Sequence, residues 1–303
     1  MNRLLISRKF GEFYQNFYSE GLPAYTANID TKVQIVRIIE KILKGRKGVS
    51  ILEVGSGFGE LAKVILEMFD GKIQNYVCTE ISKTCLQIHK KTLRNYGKIV
   101  NSVYYDLIYP EKSLGKFDIV ICSEVMEHLT DFEKEIAFLN IALQLNNGGY
   151  FIYSSPIQEY IPKRIYLSPS SKDIEKRVNS DFGNARDHIG VPSINEIVSL
   201  FYRKGFANVR YFPLHMLIPK SPKNYLLKAI HRIAVWMSLL VPKWFRVYIT
   251  PGIVLVGIKK HNPDYNHWYN DKKYLYKFMK AKGTNISLIE KQYIPSKKKL
   301  HLS

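Results

Sequence analysis

Hydrophobic and polar positions follow two rhythms along this chain, and their order predicts an α/β protein. Between Thr31 and Lys44, Val33, Val36, Ile39 and Leu43 recur at three- and four-residue spacing, the signature of an amphipathic helix. Val49–Val54 is a short apolar, β-prone run, and Glu60–Phe69 returns to helix-forming residues. A strand at Tyr76–Glu80 precedes a helix over Ser82–Tyr96, with Ser82 placed to cap it. Strands then follow at Val100–Tyr105 and Phe117–Ser123, and a helix over Asp131–Leu145 that Gly148-Gly149 should end. The last predicted pieces are a strand at Tyr150–Ser155, a helix at Ser193–Lys204, and strands at Phe206–Pro213 and Ile253–Ile258. Strands separated by helical stretches imply a mostly parallel sheet with helices on both faces. No internal repeat interrupts the pattern.

The junction after the first strand carries the strongest chemical signal. Residues 51–62 read Ile-Leu-Glu-Val-Gly-Ser-Gly-Phe-Gly-Glu-Leu-Ala, which is a strand, a turn with glycines at alternate positions, and a helix start. That layout belongs to nucleotide-cofactor sites. A dinucleotide fingerprint would need glycine where Glu60 stands, and a phosphate-binding loop would need a lysine followed by Ser or Thr. Helix N-termini attract anions, yet here Glu53 and Glu60 bracket the turn. The expected ligand is therefore cationic or free of phosphate. S-adenosylmethionine fits, being a sulfonium with an adenosine and an amino-acid tail. Glu80, ending the second strand, sits at the distance where an acidic side chain grips ribose hydroxyls in such folds.

With these residues in place the chain resembles the class I S-adenosylmethionine-dependent methyltransferases. The resemblance rests on Glu53-Val54-Gly55-Ser56-Gly57-Phe58-Gly59, Glu80, Asp106 after the third strand, and Phe117–Cys122 followed by Ser123-Glu124-Val125-Met126-Glu127-His128-Leu129. It implies a Rossmann-like, seven-stranded, mostly parallel sheet with an antiparallel final strand, over residues 30–260. It also implies roles. Glu53, Gly55, Ser56, Gly57 and Gly59 would hold the methionine portion, Glu80 the ribose, Ile81 the adenine face, and Asp106 with Leu107 the adenine amine. Ser123 and Glu124 would complete the cofactor edge. Asp106 also reads as a turn cap before Pro110, and Ile81 as plain core.

Glu124-Val125-Met126-Glu127-His128 admits three readings. On a helix, Glu124, Glu127 and His128 share one face and could bind a divalent metal, with His188 completing the set. Alternatively His128 is the general base that takes the acceptor's proton, or the segment merely starts a helix. Methyl transfer from a sulfonium is an in-line displacement, so alignment of the acceptor and exclusion of water are the main tasks.

Bulk properties alter this picture only at the acceptor side. The 303 residues, 46% hydrophobic, suffice for one large domain or two small ones. Cys78, Cys85 and Cys122 have no metal-like spacing and suit a reducing compartment. Met1–Phe10 lacks a sustained apolar stretch, and no run of about 18 apolar residues occurs, so neither a secretory signal nor a membrane-spanning helix is expected. A cytoplasmic protein, peripheral at most to the inner face of a membrane, is the expectation. The net charge of +19 is uneven: residues 1–155 hold 19 Lys+Arg and 17 Asp+Glu, residues 156–303 hold 26 and 9. A basic acceptor half points to an anionic partner or to solubility alone.

Three segments lie outside the common core. Residues 1–29 form an N-terminal segment, partly a substrate lid. Within an insertion over about 219–246, Leu226, Leu227, Ile230, Ile233, Met237 and Leu240 have helical spacing, with Lys223, Lys228 and Arg232 mostly elsewhere on the wheel. This amphipathic stretch suits an anionic membrane surface, a lid or an oligomer contact. Residues 261–303 form a basic, aromatic-rich tail, with a helix plausible around Asp271–Lys282. Nothing in it matches a named RNA-binding module. The leading expectation is O-methylation of a small-molecule, lipid-linked or glycan acceptor near a membrane. An RNA methyltransferase using the Glu-Glu-His cluster is a second reading, and a non-catalytic S-adenosylmethionine-binding protein a third. Oligomeric state leaves no signature.

Overall fold

The computed structural model describes residues 29–108, 113–158, 190–214, 241–242, 245 and 252–261. The N-terminal segment, most of the 219–246 insertion and nearly all of the 261–303 tail lie outside them. Their predicted roles therefore stay sequence readings.

The elements follow the hydrophobic rhythm closely. They are α1 (Ile29–Ile42), β1 (Val49–Val54), α2 (Glu60–Met68), β2 (Ile73–Glu80), α3 (Lys83–Thr92) and β3 (Val100–Tyr104), then β4 (Phe117–Ser123), α4 (Asp131–Gln144), β5 (Leu145–Pro156), α5 (Ile194–Arg203), β6 (Phe206–Pro213) and β7 (Gly252–Lys259). One seven-stranded sheet runs β3-β2-β1-β4-β5-β7-β6. Strands β1 to β5 pair in parallel, and β7 lies antiparallel to both β5 and β6. The reversed strand is the antiparallel final strand that the family resemblance implies.

Local chemistry explains the helix starts. Ser82 caps α3 by accepting the Cys85 amide, while Thr130 with Glu133 and Ser193 with Glu196 form reciprocal capping boxes at α4 and α5. All six residues of β1 are buried, as a central parallel strand covered on both faces requires. Ile51 and Tyr76 join α1 and α2 on one face; Leu52, Val120 and Phe151 join α4 and α5 on the other. Phe138, Phe151 and Phe201 pack with centroids 5.0–5.2 Å apart, locking α4 and α5 onto β5.

The end of α4 departs from expectation. Gly148-Gly149 does not stop the helix: α4 ends at Gln144 and the chain enters β5 directly at Leu145, opposite Phe117. The glycines serve an irregularity in β5, where a side chain at Gly149 would come within 2.8 Å of the Asn146 carbonyl. Lysines take over the helix's carbonyls instead. Lys259, buried on β7, donates to the Ala142 and Leu145 carbonyls at 2.6 and 2.8 Å, and Lys116 donates to that of Leu143. Cations at a helix C-terminus meet the negative end of its dipole. Burial, then repulsion from Lys116, lowers the Lys259 pKa to about 8. Lys259→Met keeps the apolar stem and removes both hydrogen bonds. It should cost about 1–3 kcal/mol, measured as a lower denaturation midpoint at pH 7.

Candidate active site

Three left-handed glycines shape the turn between β1 and α2: Gly55, Gly57 and Gly59 have φ of +66°, +57° and +80°. Gly55 is also a point of close approach, because a Cβ there would lie 2.4 Å from Val125 Cγ2. The turn is thereby packed against the segment leaving β4. Every amide from Ser56 to Gly59 has a partner inside the protein. Ser56 N–H donates to the Thr79 carbonyl at 3.0 Å and Gly59 N–H to the Ser56 carbonyl at 2.9 Å. Gly57 N–H donates to Glu80 Oε2 at 3.0 Å, and Phe58 N–H to Glu60 Oε2 at 3.2 Å. No N–H group of these four residues is left to cradle a phosphate, whose binding at helix starts depends on such groups.

Glu60 is not an open negative charge beside the turn, because it pairs with Lys32 of α1 in a buried bridge. Glu53 lies beneath the turn, buried and accepting the Tyr76 hydroxyl at 2.6 Å. Burial raises its pKa to about 8, with Glu60 and Glu80 pushing the same way and the Tyr76 hydrogen bond and Lys32 opposing. At neutral pH it is protonated. Exclusion of phosphate therefore rests on satisfied amides more than on repulsion by two carboxylates.

Glu80 joins the turn to the end of β2. Besides the Gly57 amide, its Oε1 accepts from the amides of Ile81 and Ser82 at 2.9 and 3.3 Å. A carboxylate offers about four lone-pair sites, so acceptor capacity remains for a ligand hydroxyl. Ile81 beside it is 42% exposed, an apolar side chain held at the surface rather than core. Asp106 accepts the Ile108 amide at 2.8 Å, the turn-capping alternative, while Leu107 is buried with its carbonyl bonded to Asn140. The parallel register brings the C-terminal ends of β1, β2, β4 and β5 to one edge, pairing Val54 with Thr79 and Cys122, and Ser123 with Ser154.

The segment after β4 is not the α-helix that the one-face reading needs. Glu124 is left-handed at φ +56°, and only Met126–His128 form a short 3-10 turn. Ser123 and Ser154 share a hydroxyl hydrogen bond of 2.8 Å, and Ser154 donates to Glu124 Oε1 at 3.1 Å. Glu127 is buried and His128 half-buried. Among the described residues no three His, Cys, Asp or Glu side chains gather to hold a metal, Glu124, Glu127 and His128 included; His188, the fourth of that set, lies outside those residues. A left-handed residue at the strand end swings Glu124 away from the helical spacing that would have grouped it with the other two. Non-glycine residues in this conformation concentrate at functional sites.

Sequence reasoning missed His89 and Ser154, and the close packing of Val125 on Gly55. Each acts on the turn or the β4 segment from a remote position, and no spacing rule connects them to it. His89, buried on α3, places Nε2 2.9 Å from the Gly57 carbonyl.

A glycine turn at the C-terminal edge of an open parallel sheet, with an acidic residue on the neighbouring strand, defines a nucleotide-cofactor domain. Comparison with known proteins narrows the class. Residues 52–151 match the family model described as a methyltransferase domain. The mitochondrial ubiquinone biosynthesis O-methyltransferase of Saccharomyces cerevisiae is 30% identical over 120 residues, 39% of this chain and 37% of that protein. The ubiquinone/menaquinone biosynthesis C-methyltransferase of Francisella tularensis subsp. novicida is 27% identical over 184 residues, covering 55% of this chain and 70% of that one. Among solved structures, the CurJ carbon methyltransferase superposes with a TM-score of 0.50 at 13% identity, over 78% of this chain and 57% of that one, a likeness of fold. Over residues 52–151 the chain is thus similar to a methyltransferase domain, and its relatives over the surrounding region are named as methyltransferases. The chain spans little more than a third of the length of the yeast relative.

Two substitutions test the turn. Gly55→Ala combines left-handed strain with overlap on Val125 and should lose more than about 2 kcal/mol. Gly57→Ala, whose new Cβ would meet nothing closer than Glu60 Oε2 at 3.8 Å, should lose about 1 kcal/mol; thermal denaturation ranks the two. Glu53 offers a pH test. Its folded pKa of about 8 exceeds its ordinary 4.5, so the folded state binds this proton more tightly. Its stabilising contribution is full below the ordinary value and disappears as pH rises through about 8. Denaturation from about pH 5 to 8 should show wild type losing stability relative to Glu53→Gln, by at most about 1.4 kcal/mol per pH unit.

Proposed function

We propose that this protein transfers a methyl group from S-adenosylmethionine to an oxygen of a small, lipid-linked or glycan acceptor. The observation that carries the reading is the glycine turn with all four amides satisfied from within and Glu80 at the end of β2. Such a turn suits a donor without phosphates, and a carboxylate with acceptor capacity suits ribose hydroxyls. S-adenosylmethionine supplies there a methyl group activated by its positive sulfur. The residues of this chain bind and orient. Gly55–Gly59 let the backbone come close to the ligand, Ile81 offers an apolar surface for adenine, and Asp106 with Leu107 bounds that side. A cationic donor also favours the ionised form of Glu53.

An oxygen acceptor is supported by the yeast relative, which is named as an O-methyltransferase. The basic charge of residues 156–303 and the amphipathic spacing within 219–246 support an anionic or membrane-held acceptor. Methylating a hydroxyl means forming a carbon–oxygen bond, breaking the carbon–sulfur bond and removing the hydroxyl proton. His128, half-buried just beyond β4, is the base we assign to that proton. The RNA reading keeps the basic second half as its support, without a Glu124, Glu127 and His128 group among the described residues.

Labelled methyl donor, added with purified protein to a fractionated native extract, should label a small nuclease-resistant product. His128→Ala should lower that turnover by about two orders of magnitude while leaving donor affinity nearly unchanged. Unaltered turnover would remove the catalytic role, and failure of the wild-type protein to bind the donor would remove the whole reading.

A further inference from the structure

We propose that His89 is the positioning residue of the cofactor turn, holding the Gly57 peptide from behind so that the turn keeps its place against Glu80. The inference rests on the reading of the turn as the S-adenosylmethionine site. His89 lies seven residues after the α3 cap Ser82, fully buried, and touches three of the turn's five residues. Nε2 is 2.9 Å from the Gly57 carbonyl and 3.4 Å from Ser56 Oγ. A side chain added at Gly59 would meet His89 Cδ2 at 3.2 Å and Leu93 Cδ1 at the same distance, so the imidazole also packs against that glycine.

The hydrogen bonding assigns the tautomer. A carbonyl oxygen only accepts, so Nε2 must carry the proton it donates to Gly57. Nδ1 is buried and has no hydrogen-bond partner among the described residues. A bare lone pair there is tolerable, whereas a second N–H would be a desolvated charge without a partner. Burial lowers the His89 pKa, against the pull of the Gly57 carbonyl and of Glu60 on α2. Glu60 is itself paired with Lys32 of α1. The ring is a neutral donor.

Both backbone polar groups of Gly57, one in each peptide unit that flanks it, are thus gripped by a single stretch of chain. Glu80, at the end of β2, takes the Gly57 N–H, and His89, two turns into the helix that follows, takes the Gly57 carbonyl. Glu80 holds the Ser56–Gly57 peptide by its N–H, while the Gly57–Phe58 peptide is held at its Phe58 N–H by Glu60 and at its carbonyl by His89. With His89 in place the glycine's orientation is fixed relative to the carboxylate assigned to the ribose. Small displacements of a positioning group have large effects on a bound reactant.

Three proteins test this by calorimetric titration with S-adenosylmethionine, followed by turnover at saturating donor. His89→Leu keeps apolar bulk without a donor, and His89→Gln carries an amide N–H at the same reach as Nε2. The Leu variant should bind the donor about tenfold more weakly with turnover at saturation within about twofold of wild type. The Gln variant should bind within about threefold of wild type. Equal affinity of the Leu variant and wild type, or equal losses in both variants, overturns the proposal. If the variants lack a cooperative melting transition, nitrogen NMR of the wild-type imidazole decides. An Nε2–H tautomer whose signals move on adding donor supports the proposal, and an Nδ1–H tautomer or unmoved signals overturn it. Absence of donor binding by the wild-type protein overturns both this inference and the methyltransferase reading, whereas wild-type binding with an unaffected Leu variant overturns this one alone.

Discussion

The hydrogen bond from the Gly57 amide to Glu80 is the constraint on which the rest of the site depends. A chain that leaves a buried strand and starts a helix within five residues exposes backbone groups that water cannot reach well. Here they are satisfied by the neighbouring strand: Thr79 takes the Ser56 amide through its carbonyl, and Glu80 takes that of Gly57 through its side chain. The turn consequently cannot move without β2. A carboxylate that shapes the backbone and still has acceptor capacity is well placed to read ligand hydroxyls.

Beneath the turn lies a set of polar groups that the sequence displays only as letters. Lys32, Glu53, Glu60 and Tyr76 come from four different elements and are buried together under the first turn of α2. One carboxylate is matched by an ammonium and the other is kept protonated by burial, with a phenol donating to it. Buried charges are retained only when paired or neutralised in this way. The floor of the site is thus electrically quiet, and the arrival of a cation would alter it most at Glu53.

Much of the fold was legible because its elements obey short-range rules. The strands at Val49–Val54, Phe117–Ser123 and Phe206–Pro213 were read to the residue, since each is an apolar or β-prone run bounded by turn residues or a helix. Ser82 was recognisable as a cap by the helical stretch that follows it. Glu124-Val125-Met126-Glu127-His128 was not legible, because a helical spacing says nothing when the first residue turns left-handed. The glycine pair at 148–149 misled for a related reason. Glycine marks helix ends and strand irregularities alike, and only the lysines arriving from β7 and from before β4 reveal what closes α4.

The sequence by itself determined the α/β order and the glycine turn with its acidic neighbour Glu80, because those depend on residues a few positions apart or on one strand-to-strand offset. Tertiary structure alone decided the charge state of Glu53, the pairing of Glu60, the dispersal of the Glu-Glu-His set and the place of His89 behind the turn. Each of these depends on which side chains the sheet order and helix packing bring within a few ångströms, and on how far water is excluded there. Neither quantity is written in the spacing of residues along the chain.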